Sequence, residues 1–320
     1  MLCPNCFNEN GPSDSCSQCG YDANWDQRSL MYLPVRTVLD GKYIVGRGLG
    51  SPGGFSITYL AFHIHLQKKV AIKEFFPREY VSRDGLAAVV HDENCQIKFQ
   101  EGLHKFIIEA QTLARLDHNN IVKVLDVFEE NNSAYLVMDF YEGQTLTEFM
   151  QERQQPLSEQ ELLAIFLPLL DGLSTLHDQG LLHRDIKPDN IYLTQDNRAI
   201  LLDFGAAREV MSGGQSRSII FTPGFAPYEQ YNSKAVQGPW TDIYACAMTM
   251  YYLLTLKTLP DIIERMSGTT LEPLQQAAPQ IGASVAKAIM QGLSIQAADR
   301  PQSVAEFLQL LKGEADNKTV

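Results

Sequence analysis

His183-Arg184-Asp185-Ile186-Lys187-Pro188-Asp189-Asn190 is the stretch whose reading decides the fold. It sets charges of both signs, an amide and a histidine between two apolar runs, Leu181-Leu182 before and Ile191-Tyr192-Leu193 after. Polar residues flanked in this way predict a loop held rigidly between buried elements, where reactive groups tend to sit. The chain resumes with Ile200-Leu201-Leu202-Asp203-Phe204-Gly205, which reads as a short buried strand ending in a carboxylate. Two carboxylates and an amide at this spacing suit one kind of work: one group accepts a proton, and two hold metal ions that bridge phosphates. The rival reading is a buried polar loop of some other fold, and the upstream sequence weighs against it.

Upstream, Lys42-Tyr43-Ile44-Val45 and Ile57-Thr58-Tyr59-Leu60-Ala61 read as strands around Gly48-Leu49-Gly50-Ser51-Pro52-Gly53-Gly54-Phe55-Ser56. A hairpin with such a tip has no side chains to keep a phosphate away from its backbone N–H groups. By itself a glycine-rich turn is usually only a turn. This one is followed by Val70-Ala71-Ile72-Lys73, an apolar strand with one lysine, and a buried charge needs a partner. Glu109 is the candidate. Phe99, Leu103, Phe106, Ile107, Ala110, Leu113 and Leu116 recur at helical spacing, and Glu109 falls beside that stripe. The alternative for Glu109 is a solvated helix face. Two further strands, 121–129 and 134–139, join through a hairpin turn at Glu130-Asn131-Asn132-Ser133.

A His-Arg-Asp-x-Lys-x-x-Asn loop, an Asp-Phe-Gly at short range and an upstream Val-Ala-Ile-Lys together resemble eukaryotic-type protein kinases. Ile57-Thr58-Tyr59 and Lys73-Glu74-Phe75-Phe76-Pro77 are similar to a bacterial branch of the serine/threonine kinases. The resemblance covers residues 40–312 and implies a bilobal α+β fold, with a small β-rich lobe at 40–141 and a large helical lobe at 142–312. The implied activity is ATP-dependent transfer of the γ-phosphoryl group to Ser or Thr hydroxyls of proteins.

The resemblance also implies roles. Asp185 accepts the hydroxyl proton, Lys187 contacts the γ-phosphate, and Asn190 and Asp203 bind Mg²⁺ or Mn²⁺. Lys73 holds the α- and β-phosphates and is itself held by Glu109. Leu49, Gly50, Gly53, Gly54, Ile57 and Ala71 would surround the nucleotide. Met138 would be the gatekeeper behind the adenine, with the backbone of Asp139, Phe140 and Tyr141 beside the base. Lys187 follows the serine/threonine rather than the tyrosine pattern. The chain departs from the family in an extra Pro52, in Ser56 where a third glycine usually stands, and in the 35 residues between Lys73 and Glu109, which must form extra structure.

In the large half, Ser158-Glu159-Gln160-Glu161 is a capping signal for a long apolar-periodic helix over 162–177. The polar segment 206–221 resembles an activation loop, with Ser216, Ser218 and Thr222 as expected phosphorylation sites and Arg184 placed to receive a phosphate. The unmodified alternative is a mobile polar loop. Resemblance further implies that Glu229, in Ala226-Pro227-Tyr228-Glu229, pairs with Arg300, and that Asp242 holds the catalytic-loop backbone. The run 243–256 is too short for a bilayer and predicts a buried helix.

Four of the six cysteines lie in the first nineteen residues, as Cys3-x-x-Cys6 and Cys16-x-x-Cys19-Gly20 with nine residues between the pairs. Four thiolates that can turn toward one point suit structural Zn²⁺, and the turn-rich segment between has almost no core of its own. Residues 1–21 therefore read as a small zinc ribbon and 22–39 as a linker. A redox dithiol pair and four unrelated cysteines are the rival readings. The net charge of −12, and the absence of Lys or Arg from residues 1–27, argue against nucleic acid as a partner. A protein partner at the ribbon and a cap with no partner stand level. No signal peptide is expected at the N-terminus, so the expectation is a cytoplasmic protein with a polar tail over 313–320. Against the catalytic reading stand a nucleotide-binding pseudokinase scaffold that recruits partners through the ribbon, and a small-molecule kinase on the same fold.

Overall fold

Strand pairing in the first half follows from alternation. Ser56–His63 (β3) and Lys68–Phe75 (β4) form an unbroken antiparallel ladder from Ser56 opposite Phe75 to His63 opposite Lys68. Val38–Leu39 (β1) and Tyr43–Gly48 (β2) add on one side, and Val124–Glu130 (β7) and Ser133–Asp139 (β8) on the other, giving an antiparallel sheet in the order β1-β2-β3-β4-β8-β7. The β7–β8 turn runs through Asn131 and Asn132, both at left-handed φ (54° and 55°), as a tight two-residue hairpin requires. β8 is buried at every position but its last, because both of its faces are covered.

The computed structural model describes residues 2–9, 15–22, 30–50, 54–204, 224–232, 234–257 and 259–313. They fall into two compact units, Met1–Arg115 with Lys123–Tyr141, and Leu116–Val122 with the described residues from Glu142 onward. The sequence reading drew the small lobe as continuous over 40–141. Leu116–Val122 belongs instead with the large unit, where Ile121 bridges Leu201 and the Asn120 side-chain amide donates to the Ala199 carbonyl at 2.7 Å.

The extra residues after Lys73 form a hairpin, Val81–Asp84 (β5) and Ala87–Val90 (β6), and then the start of helix Glu93–Leu113 (α1). Asp92 caps α1 by accepting from the Cys95 amide at 2.9 Å. The apolar stripe points α1 at the sheet: Phe75 packs against Phe99 and Phe106, with ring centroids 5.4 and 5.6 Å apart. The helix stops at Leu113, one turn short of Leu116, the last residue of the periodic pattern.

In the large unit Leu146–Arg153 (α2) and Glu159–Asp178 (α3) both open on complete capping boxes, Thr145 with Glu148 and Ser158 with Glu161. Gly143–Thr145 (β9), Ile191–Thr194 (β10) and Ala199–Leu201 (β11) make a small antiparallel sheet in the order β11-β10-β9. The predicted strand through Asp203 ends earlier, at Leu201, because Asp203 takes a left-handed φ of 55° that no strand accommodates. Pro239–Thr255 (α4) is buried nearly all round, as its unbroken apolar run predicts. Ala283–Gly292 (α5) and Val304–Lys312 (α6) follow, and shorter helices lie at Tyr228–Tyr231, Ile262–Met266 and Leu274–Ala277. No helix among the described residues is long and apolar enough to cross a membrane.

Candidate active site

The catalytic loop is held from beneath by one buried carboxylate. Asp242, fully buried on α4, accepts from the amides of His183 at 2.8 Å and Arg184 at 2.7 Å. His177 Nε2 lies 2.8 Å from the same carboxyl. Burial alone would lift the Asp242 acid, but the His177 ring and the Arg184 amide outweigh it and hold the acid below its ordinary value. Arg184 takes a left-handed φ of 66°, and its carbonyl accepts from the Gln230 side-chain amide at 2.7 Å.

His183 is neutral. Its Nε2 donates to the Leu202 carbonyl at 2.8 Å, its Nδ1 accepts from the Asp185 amide at 3.3 Å, and complete burial pushes its pKa down. Its ring packs on Phe204 at 4.7 Å. The histidine therefore ties the loop to the segment that carries Asp203.

Above this base the reactive groups come together. Asn190 donates its side-chain amide to the Asp185 carbonyl at 2.7 Å and to Asp185 Oδ2 at 2.6 Å. Lys187 Nζ lies 3.6 Å from Asp185 Oδ1. Asn190 in turn accepts the Leu202 amide at 2.9 Å, which binds it to the strand end before Asp203. In the same unit Glu229 and Arg300 form a buried pair at 2.6 Å, with Arg300 also donating to the carbonyls of Ser294 and Ile295 and Thr241 donating to Glu229.

The first unit carries its own half of the predicted set. Lys73 sits on β4 opposite Thr58 and Leu136, and Ala71 lies opposite Leu60 and Met138. Residues two apart on a strand share a face, so Lys73 lies on the side of Phe75 that meets α1. Glu109, one helical turn beyond Phe106, lies at the same interface. The Asp139 amide is committed to the Lys123 carbonyl at 3.0 Å, and its carboxylate pairs with Lys68 at 2.8 Å.

One predicted residue is misplaced. Ile57 lies opposite Glu74, on the face away from Lys73 and Ala71. Thr58, opposite Lys73, shares the face of Lys73 and Ala71 instead. Neighbouring residues of a strand point to opposite faces, so Ile57 and Thr58 cannot both stand on the Lys73 side. Gly53, Ser216, Ser218 and Thr222 lie outside the described residues.

The protein kinase domain family model matches residues 43–294. The chain belongs to the protein kinase family. It is 31% identical over 297 residues to serine/threonine-protein kinase pkn2 of Myxococcus xanthus, covering 88% of this chain and 33% of that one. To serine/threonine-protein kinase C of Synechocystis it is 32% identical over 301 residues, covering 90% and 52%. The kinase thus spans a third to a half of the length of these curated relatives. Among solved structures, the PpkA-294 apo form superposes with a TM-score of 0.79 at 33% identity, covering 88% of this chain and 99% of that one. The Mycobacterium tuberculosis PknI kinase domain superposes with a TM-score of 0.65 at 27% identity, covering 89% and 100%. The kinase fold, with its β-sheet lobe and helical lobe, is the one the catalytic-loop motif implied.

The kinase carries one more constellation. The sulfurs of Cys3, Cys6, Cys16 and Cys19 all lie within 4.8 Å of one another, with Cys3–Cys19 and Cys6–Cys16 at 3.8 Å. Four sulfurs about 2.3 Å from a central ion at tetrahedral angles stand ~3.8 Å apart, so the cluster fits Zn²⁺. Two like turns build it: Phe7 N–H donates to Cys3 O and Gly20 N–H to Cys16 O, each at 2.8 Å.

Sequence reasoning missed a buried pair. Glu74 accepts from both terminal nitrogens of Arg83, at 2.7 and 2.5 Å, and from the hydroxyls of Tyr59 and Tyr135 at 2.9 and 3.0 Å. Only the apolar setting of Glu74, inside a strand, signalled a partner.

Proposed function

We propose that the chain is an ATP-dependent serine/threonine protein kinase that transfers the γ-phosphoryl group to Ser or Thr hydroxyls of protein substrates. The observation that carries this reading is the Asp185 carboxylate, fixed by Asn190 on one oxygen and flanked by Lys187 at the other. A carboxylate so held orients an acceptor hydroxyl and takes its proton, and Lys187 neutralises charge that grows on the transferred group. Phosphoryl transfer needs mostly positioning and charge neutralisation, and the loop supplies both. The Asn190 amide oxygen and the Asp203 carboxylate are hard oxygen donors and would hold Mg²⁺ or Mn²⁺, which supplies charge neutralisation at the phosphates when bound. Lys73, positioned by Glu109, would take the α- and β-phosphates. Ala71, Thr58, Leu49 and Met138 would meet the base, with the Asp139–Tyr141 backbone beside it. The four thiols would hold structural Zn²⁺ and suit a reducing compartment such as the cytoplasm. Ser216, Ser218 and Thr222 are the proposed autophosphorylation sites. A protein partner at the ribbon would have to use the surface that Pro4 and Phe7 leave exposed.

The test is incorporation of radiolabelled ATP by wild type and Asp185→Asn. Label should appear with wild type and fall at least a hundredfold in the variant. Equal label in the two would favour a nucleotide-binding scaffold.

A further inference from the structure

The ribbon is seated on the kinase sheet at the place where the sheet meets the nucleotide. Phe7 is only 5% exposed and packs in a cluster with Leu60 and Phe62, its ring 5.6 Å from that of Phe62. Leu49 of the glycine-rich loop, Phe140 of the hinge segment, Ile44 and Leu2 close around the cluster. Leu60 lies opposite Ala71, so the ribbon covers the face that carries Ala71 and Lys73. The sequence makes room for it. A Cβ at Gly46 would stand 2.5 Å from the Pro4 carbonyl, 2.6 Å from the Phe7 ring and 2.8 Å from the Leu60 carbonyl.

Phe7 itself is held at a cost. It occupies the residue after the second cysteine of its turn, and its φ is 55°. The equivalent residue of the other turn is Gly20, at φ 70°. Glycine takes this left-handed conformation freely, and a bulky side chain there is an outlier that its surroundings must enforce. A phenylalanine where the sister turn uses glycine marks a ring needed for what it touches.

We infer that Phe7 is a positioning residue for the nucleotide: the cluster it forms with Leu60 and Phe62 braces Leu49 and Phe140, and the folded ribbon thereby sets the affinity of this kinase for ATP. The inference rests on the nucleotide reading of Leu49 and Ala71 given above. The residues packed with the ring are all apolar, and none of them is assigned a part in the phosphoryl transfer. The ring restrains the apolar roof of the base site, so its loss should weaken ATP binding without slowing phosphoryl transfer in the saturated enzyme.

The experiment measures ATP affinity of the full chain by calorimetry, with KM for ATP and kcat on casein beside it. Phe7→Gly removes the ring and relieves the left-handed strain, so the ribbon keeps its turn. Phe62→Ala removes the other half of the stack from the sheet side and decides the matter if Phe7→Gly loses zinc. Both should raise Kd and KM for ATP about tenfold, equivalent to ~1.4 kcal/mol, with kcat within about twofold. Phe7→Leu should restore most of the affinity. ATP binding unchanged or tightened in both Phe7→Gly and Phe62→Ala would overturn the inference. Ala71→Trp serves as the control. If it abolishes binding, the base site is where the kinase reading puts it, and the Phe7 result stands by itself. If it does not, that reading of the pocket fails and the inference with it.

Discussion

Replacing Arg83 with methionine tests whether the inserted hairpin is structural in the strict sense. Glu74 is completely buried and takes four hydrogen bonds, two from Arg83 and one each from the hydroxyls of Tyr59 and Tyr135. The Arg83 side chain is itself 4% exposed and lies over the Phe76 ring at 4.3 Å. Methionine keeps much of the arginine's apolar bulk but leaves a carboxylate in a dry site with only two phenols. Removing one partner of such a pair costs about 3–5 kcal/mol, because the remaining charge has lost its compensation. At roughly 2–4 °C per kcal/mol the melting temperature should fall by on the order of 10 °C. The companion variant Glu74→Gln/Arg83→Met removes both charges while leaving an amide oxygen for the phenols. It should recover at least half of the loss, a coupling of at least about 2 kcal/mol once the cost of Glu74→Gln alone is added. Arg83 also donates to the carbonyls of Met31 and Leu86, and that loss is common to both variants, so it cancels in the cycle. Urea unfolding of the four proteins gives the numbers. A loss below about 1 kcal/mol for Arg83→Met, or strictly additive single variants, would refute the argument.

Three further outcomes follow from the same geometry. Arg300→Met, which strips the buried Glu229 of its partner, should destabilise the chain by about 3–5 kcal/mol in chemical denaturation, with Glu229→Gln milder because Thr241 still has an oxygen to meet. His183 is buried with its pKa pushed below the ordinary value, so the neutral ring is the folded form; stability is full above about pH 6.5 and should fall by up to ~1.4 kcal/mol per pH unit below it. Denaturation midpoints between pH 5 and 8 check this, and a midpoint flat to pH 5 would contradict it. With Zn²⁺ held as proposed, thiol modification at Cys3, Cys6, Cys16 and Cys19 should be slow before chelation and rapid after it, and equal rates would contradict the zinc site.

The catalytic loop was legible because its chemistry is local: Asp185, Lys187 and Asn190 lie within six residues, and the contacts among them close inside that span. The caps at Ser158 and Thr145 are local too, but only Ser158 was read, because its helix is long and strongly periodic. Glu229 with Arg300 and Asp242 under the loop span 71 and 59 residues, beyond any pattern of spacing, and only resemblance supplied them. Ile57 was misread for a definite reason. Resemblance locates the start of β3, but which of two neighbouring residues shares the Lys73 face is decided by the ladder with β4, where Thr58 and not Ile57 stands opposite Lys73. Arg83 looked like one more polar residue of an insertion, since nothing in its neighbours says that a buried carboxylate awaits it.

The N-terminal segment is the part whose role the sequence hid most completely, and the sheet shows why it cannot be a detachable appendage. The ribbon covers one face, through Phe7 on Leu60 and Phe62. The linker covers the other. Leu33 is fully buried and its amide donates to the Tyr59 hydroxyl at 3.1 Å, and Tyr32 stands edge-on to the Tyr59 ring at 6.0 Å. Gly48 admits that tyrosine as Gly46 admits Phe7, and the irregularity in β2 between Val45 and Gly48 is what turns the two glycines to opposite faces. The family match begins at residue 43, after both covers. A chain cut there would leave Leu60 and Phe62 bare on one face. On the other it would deprive the Glu74–Arg83 pair of the Met31 carbonyl and the burial that make it tight. The sheet that carries Lys73 is therefore covered on both faces by residues that precede the family match, and the physical unit of this kinase includes the ribbon and the linker.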